Sequence, residues 1–182
     1  MGLVAVVGLI IAGSLAWWMN SYTSTQVHNQ LASQQITFSP KSMIYPLAPK
    51  GAEDYGSQYA PVAQYAGQLL TTGDQARVYA NVQLQNDLNA IAGGKTYSQL
   101  SAASRADPTN TKLTGLVATV FKGTTLKGLL LNAYAFGTMA TIAGWAAIVA
   151  FVGAALLLIL SILGFLHGAG KFRVRPAETT TT

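Results

Sequence analysis

Apolar and small residues run from Leu129 to Leu166 without a single charged side chain. As an α-helix such a run measures about 57 Å, whereas a hydrocarbon core of about 30 Å is crossed by about 20 residues. The pattern predicts a long second helix over 129–167. Between Ile142 and Leu166 the only hydroxyl belongs to Ser161, and Ala154–Leu160 is wholly apolar, which puts the spanning part at 141–166. Asn132, Tyr134, Phe136 and Thr138 place 129–140 at the outer headgroup level or beyond it. A second apolar run, Gly2–Met19, ends in Trp17, Trp18 and Tyr22, an interfacial aromatic belt, and predicts a first transmembrane helix over 1–20. The competing reading is a cleaved secretory signal, because Ser14-Leu15-Ala16 carries the small residues a signal peptidase accepts. The missing basic segment ahead of the apolar run favours a retained anchor.

Between the two runs the pattern is mixed. Val27 and Leu31, four apart, continue the first helix towards Ser33. Gln35-Ile36-Thr37-Phe38 alternates polar and apolar, and Met43-Ile44-Tyr45 is a second short extended piece, so the two are expected to pair as a small ribbon within an extended and loop region, 34–61. From Val62 the period becomes helical: Val62, Tyr65, Ala66 and Leu69, then Ala80, Leu84, Leu88 and Ile91 on one face. Thr72 with Gln75, and Thr96 with Gln99, form capping-box patterns that open helices. Gly93-Gly94 supplies a helix stop and Asp107-Pro108 another. Thr109 is the expected cap of the last element. Leu113, Leu116, Val117, Val120, Phe121, Thr124 and Gly128 keep the helical period, and no proline separates them from the second span. One long helix over about 110–167, bent at Gly123, Gly128 or Gly137, is the economical reading. The predicted fold is a mainly α membrane protein, two transmembrane helices flanking a mostly helical domain over 21–128 with a short extended N-terminal part.

Charge orients this arrangement. Lys171, Arg173 and Arg175 follow the second span, so the positive-inside rule puts the tail, 168–182, in the cytoplasm. Two spans then return the first terminus to the same side and leave 21–128 extracytoplasmic, in the plasma membrane. The net charge of +5 arises without any Lys/Arg cluster interleaved with aromatics, which speaks against nucleic acid as a partner. With no cysteine, there is no disulfide framework, thiolate metal site, lipid-modified thiol or cysteine nucleophile.

Candidate chemistry is sparse. Of the two histidines, His28 lies just outside the first span and His167 at the cytoplasmic edge of the second, on opposite sides of the bilayer. Glu53-Asp54 is too few ligands for calcium, and Asp74 is placed to complement a helix dipole. No G-x-S-x-G, P-loop, H-E-x-x-H or G-x-G-x-x-G occurs, and no ionisable residue lies within a span. Tyr55, Tyr59, Tyr65 and Tyr79 line either a groove or a packing interface. We therefore expect no enzyme, no catalytic residue, no cofactor and no metal. What the spans do carry is small residues, which in lipid mark helix contacts. One face of the first span holds Ala5, Gly8, Ala12 and Ala16. The second holds Ala140, Gly144 and Ala147 on one stripe, Ala146, Ala150 and Ala154 on another, and the pair Gly164 and Gly168. One stripe serves a hairpin within the chain; more than one points to helices of other integral membrane subunits, in contact with lipid.

An N-terminal span, Gln30-Leu31 and Ile36-Thr37, Ala76–Asn81 leading to Gly93-Gly94-Lys95-Thr96-Tyr97-Ser98-Gln99-Leu100, and a long final helix together resemble small two-span membrane proteins of actinobacteria. Many of those carry the label aromatic ring-opening dioxygenase. That activity uses iron held by two histidines and a carboxylate on one face, which His28 and His167 do not provide. By analogy, the resemblance implies an accessory subunit of a large membrane assembly such as the respiratory cytochrome bcc–aa3 supercomplex. The alternative is a free-standing anchored binding or sensor protein that holds a lipid, quinone or cell-wall fragment among residues 62–128.

Overall fold

The computed structural model describes residues 2–44 and 60–171. Tyr45, the acidic pair Glu53-Asp54, Tyr55, Tyr59, Arg173 and Arg175 lie outside the described residues. The described chain is helical and contains no strand: α1 (Gly2–Ser33), α2 (Lys41–Ile44), α3 (Ala60–Ala63), α4 (Gly73–Val78), α5 (Leu84–Ala92), α6 (Tyr97–Ala106) and α7 (Thr111–Lys171), with a π-helical turn, Tyr79–Gln83, between α4 and α5. α1 and α7 are long and apolar enough to cross a membrane, with mean hydropathy of 2.0 and 2.9 in their most apolar windows. Only 11% of either window is buried within the chain, whereas the core helix of a soluble protein is mostly covered. α7 runs as one continuous helix through Gly123, Gly128 and Gly137.

The chain forms two compact units, residues 1–21 with 141–182, and residues 22–140. In the first, the described parts of α1 and α7 pair antiparallel. Gly2 faces Ser161, Gly13 lies against the Phe151 ring, and Gly144 lies against the Asn20 amide, so positions climb along one helix as they fall along the other. The α1 seam is Val6, Leu9, Gly13, Ala16 and Asn20, and the α7 seam runs through Gly144, Ala147, Ala150, Ala154 and Ser161, all buried or half-buried. The α1 positions alternate in steps of three and four, and Ala147, Ala154 and Ser161 of α7 recur every seven residues. Small residues along it let the backbones close, which is where packing energy comes from when no water is expelled.

The second unit is held by a core around Phe38, only 1% exposed, against which the rings of Tyr65 and Tyr79 pack with centroids 5.4 Å away. Val27 and Leu31 of α1, Val62, Leu70, Ala76 and Leu130 of α7 complete it. Phe38 is placed by backbone pairing, but not the pairing expected from sequence. Residues 36–38 bond to 67–70: Phe38 N–H to the Gln68 carbonyl at 3.0 Å, Gly67 N–H to the Phe38 carbonyl at 3.2 Å, and Leu70 N–H to the Ile36 carbonyl at 2.8 Å. Met43 sits instead in the single turn α2, so no ribbon joins it to Ile36. The helix expected over Val62–Leu69 stops after Ala63, and Gly67, at φ +72, turns the chain into the extended segment.

Both capping boxes are present. Thr72 caps α4 and Thr96 caps α6, each accepting from the backbone N–H three residues on, while Gln75 and Gln99 reach back to the cap. Gln75 is only 7% exposed; its Oε1 accepts from the N–H groups of Thr71 and Thr72 at 2.8 and 3.1 Å, and its Nε2 donates to Gln68 Oε1 at 3.3 Å. Gly93, at φ +59, ends α5 in the left-handed conformation that lacks a penalty only without a Cβ. α7 is capped by Asn110, whose Oδ1 accepts from Leu113 N–H at 3.1 Å, rather than by Thr109, whose hydroxyl donates to Asp107. In the π turn, Leu84 N–H bonds the Tyr79 carbonyl five residues back. Further along α5, Ala92, four residues after the buried Leu88, is buried in place of Ile91, which is 49% exposed. A second cluster, Ala92, Leu100 and Val120 with Leu113, Leu116 and Val117, ties α5 and α6 to α7.

Candidate functional site

The small residues of the spans fall into two groups. Ala16, Gly144, Ala147, Ala150 and Ala154 lie in or along the seam of the first unit, and Ala140 is buried within the second unit. Gly8 and Ala12 are exposed, as is Ala5, and a Cβ at Gly8 would meet nothing within 4 Å. Gly164 and Gly168 are equally open. They lie beyond Ser161, where α1 reaches its first described residue, Gly2. One glycine- and alanine-lined face thus forms the helix pair, and two further such patches meet no neighbour among the described residues.

The polar candidates separate. His28 and His167 are each exposed, in different units. Among the described residues no three of His, Asp and Glu gather where they could hold a metal ion. Asp74 stands in the first turn of α4, 3.9 Å from Arg77, whose guanidinium lies over the Tyr134 ring at 5.4 Å. Tyr65 and Tyr79 both pack on Phe38. Burial raises the Tyr79 phenol above its ordinary value, and the Asp87 carboxylate raises it further.

A cleft of about 510 Å³ opens where α5, the α5–α6 turn and α7 meet. Leu88, Ala92, Val120 and Leu131 form its apolar part, while Gln85, Asn89, Lys95, Ser98, Thr124 and Lys127 supply polar groups, with no carboxylate among the described lining residues. Its mouth includes Gly94-Lys95-Thr96-Tyr97-Ser98. The double glycine makes this turn possible: with φ of +59 and +75, Gly93 and Gly94 reverse the chain within two residues, and Thr96 at once caps α6. Across the cleft, Lys127 of α7 donates from Nζ to Gln85 Oε1 at 2.6 Å, and Gln85 Nε2 donates to Asn89 Oδ1 at 2.8 Å. The rings of Tyr97 and Phe121 stand beside it, centroids 5.5 Å apart, both exposed. Sequence periodicity placed Leu88 and Val120 on inward faces. It carried no signal that Gln85 and Lys127, distant in the chain, would meet. Comparison with known protein families, curated proteins and solved structures finds no match.

Proposed function

We propose that this protein is a non-catalytic accessory subunit of a multi-subunit membrane complex, docking on other integral membrane subunits through the uncovered small-residue patches. Ala5, Gly8 and Ala12 form one patch, Gly164 and Gly168 the other. The single observation that carries the reading is that these patches stay open although the same chemistry is consumed in the seam of Gly13 and Ala147. Lipid tails are as apolar as leucine, so association of helices in a membrane draws on close backbone approach, which glycine and alanine permit. Both ends of the helix pair face the cytoplasm, on the charge of Lys171, Arg173 and Arg175, and residues 21–128 brace an extracytoplasmic face of the partner. The resemblance to two-span actinobacterial proteins makes the cytochrome bcc–aa3 supercomplex the first candidate assembly.

The test uses positions where a Cβ would meet nothing within 4 Å among the described residues. Gly8→Leu and Gly164→Leu are expected to leave the protein inserted and folded while detaching it from its complex on native gels. Unchanged co-migration of both variants would remove the docking surface from the account. Gly144→Leu and Ala150→Leu are unsuitable here, since those residues line the chain's own seam.

A further inference from the structure

The cleft between α5, the α5–α6 turn and α7 is lined by two lysines and, among the described residues, by no carboxylate. Lysine only donates, so Gln85 must turn its carbonyl oxygen towards Lys127. Its NH2 then faces Asn89 and must be received by Asn89 Oδ1. Each amide oxygen thereby accepts one hydrogen bond, and the Asn89 NH2 and the remaining Lys127 N–H groups are left to donate. Lys95 adds a second ammonium, and Ser98 and Thr124 add hydroxyls. Lys127 is half-buried, and among the described residues no carboxylate pairs with it, the one ion pair being Arg77 with Asp74. An anion in the cleft would meet two ammonium groups that no described carboxylate neutralises.

We propose that this cleft binds the oxyanion of a small amphiphile, a phosphate ester with an apolar substituent. The oxyanion lies between Lys95 and Lys127, and the apolar group lies on Leu88, Val120 and Leu131. An oxyanion is acceptor-only, the complement of the donors gathered here. The N–H groups of Tyr97 and Ser98, in the first turn of α6, have no partner among the described residues and reinforce the same polarity. Tyr97 and Phe121 extend the apolar wall to the mouth. The inference is independent of what the membrane helices dock against.

The full chain, 15N-labelled in an uncharged maltoside detergent, is titrated with hexyl phosphate, inorganic phosphate and hexyltrimethylammonium while the amide signals of Gly94, Tyr97 and Ser98 are followed. Hexyl phosphate is expected to shift them saturably, binding at least about tenfold more tightly than inorganic phosphate, which burial of two methylene groups supplies. Hexyltrimethylammonium is expected to leave them in place. Lys95→Gln and Lys127→Gln should each weaken hexyl phosphate about tenfold, the loss of one charge-assisted hydrogen bond. Lys95 is exposed, so its variant cannot be dismissed as misfolded. Absence of a saturable shift, equal binding of the cationic amphiphile, or undiminished affinity in both lysine variants would each overturn the proposal. The source of the anion is read in phosphatidylglycerol bilayers: shifts present before any soluble ligand is added support a lipid headgroup in the cleft, and shifts only with hexyl phosphate support a free solute.

Discussion

Gly73 and Gly137 meet backbone to backbone: a Cβ built on Gly73 would lie 3.3 Å from the Gly137 Cα and 3.2 Å from the Ala133 carbonyl oxygen. Here the first turn of α4 presses directly on α7. Neither side of this contact can swing away as a side chain would. Gly73→Ala is therefore expected to destabilise residues 22–140 by about 1–3 kcal/mol, read as a lower unfolding midpoint of the full chain in detergent. At Gly123 a Cβ would meet the Leu88 Cδ2 methyl, the end of a movable side chain. Gly123→Ala should cost clearly less than Gly73→Ala, and the reverse order would refute the close-approach argument.

Titration of the second unit has a definite sign. Burial and then Asp87 raise Tyr79 above 10.0. The folded state keeps the phenol neutral where the unfolded chain ionises it, so the stability it contributes is fully present below pH 10.0 and is lost as pH rises through the folded value. Tyr79→Phe keeps the ring on Phe38 and should flatten the alkaline decline relative to the parent protein; parallel declines would contradict the assignment. Burial also raises Asp87 above 3.8, so its favourable contribution is present below that pH and is lost as the carboxylate forms. Asp87→Asn should stabilise the protein at neutral pH and reduce the shift of Tyr79, checked by the tyrosinate absorbance on alkaline titration.

The absence of cysteine permits a clean topology measurement. Ala102, exposed on α6, can be replaced by Cys as the only thiol. An impermeant maleimide should label Ala102→Cys on intact cells. Labelling only after the membrane is permeabilised would reverse the orientation drawn from the basic tail.

What was legible in the sequence was local or strongly periodic. The boxes of Thr72 with Gln75 and Thr96 with Gln99, and the stop at Gly93, depend on residues a few positions apart, and the two apolar helices depend on long runs. The partner of Ile36-Thr37-Phe38 was not legible, because an isolated bridge to residues 67–70 leaves no alternation long enough to read. The seam of α1 was displaced from the small-residue face because Val6 and Leu9 pack as well as alanine when the facing helix offers Gly153 and Ala154. The cleft was hidden for a different reason. Its polar wall joins Gln85 to Lys127 across two elements, and a single lysine in a helix reads as an ordinary solvated position.

The most direct test of the central claim is gentle maltoside extraction of the native protein, followed by native electrophoresis and mass spectrometry of what travels with it. The account predicts recovery in a stoichiometric complex with other integral membrane subunits. A protein that migrates alone under conditions that keep other membrane complexes intact would contradict it.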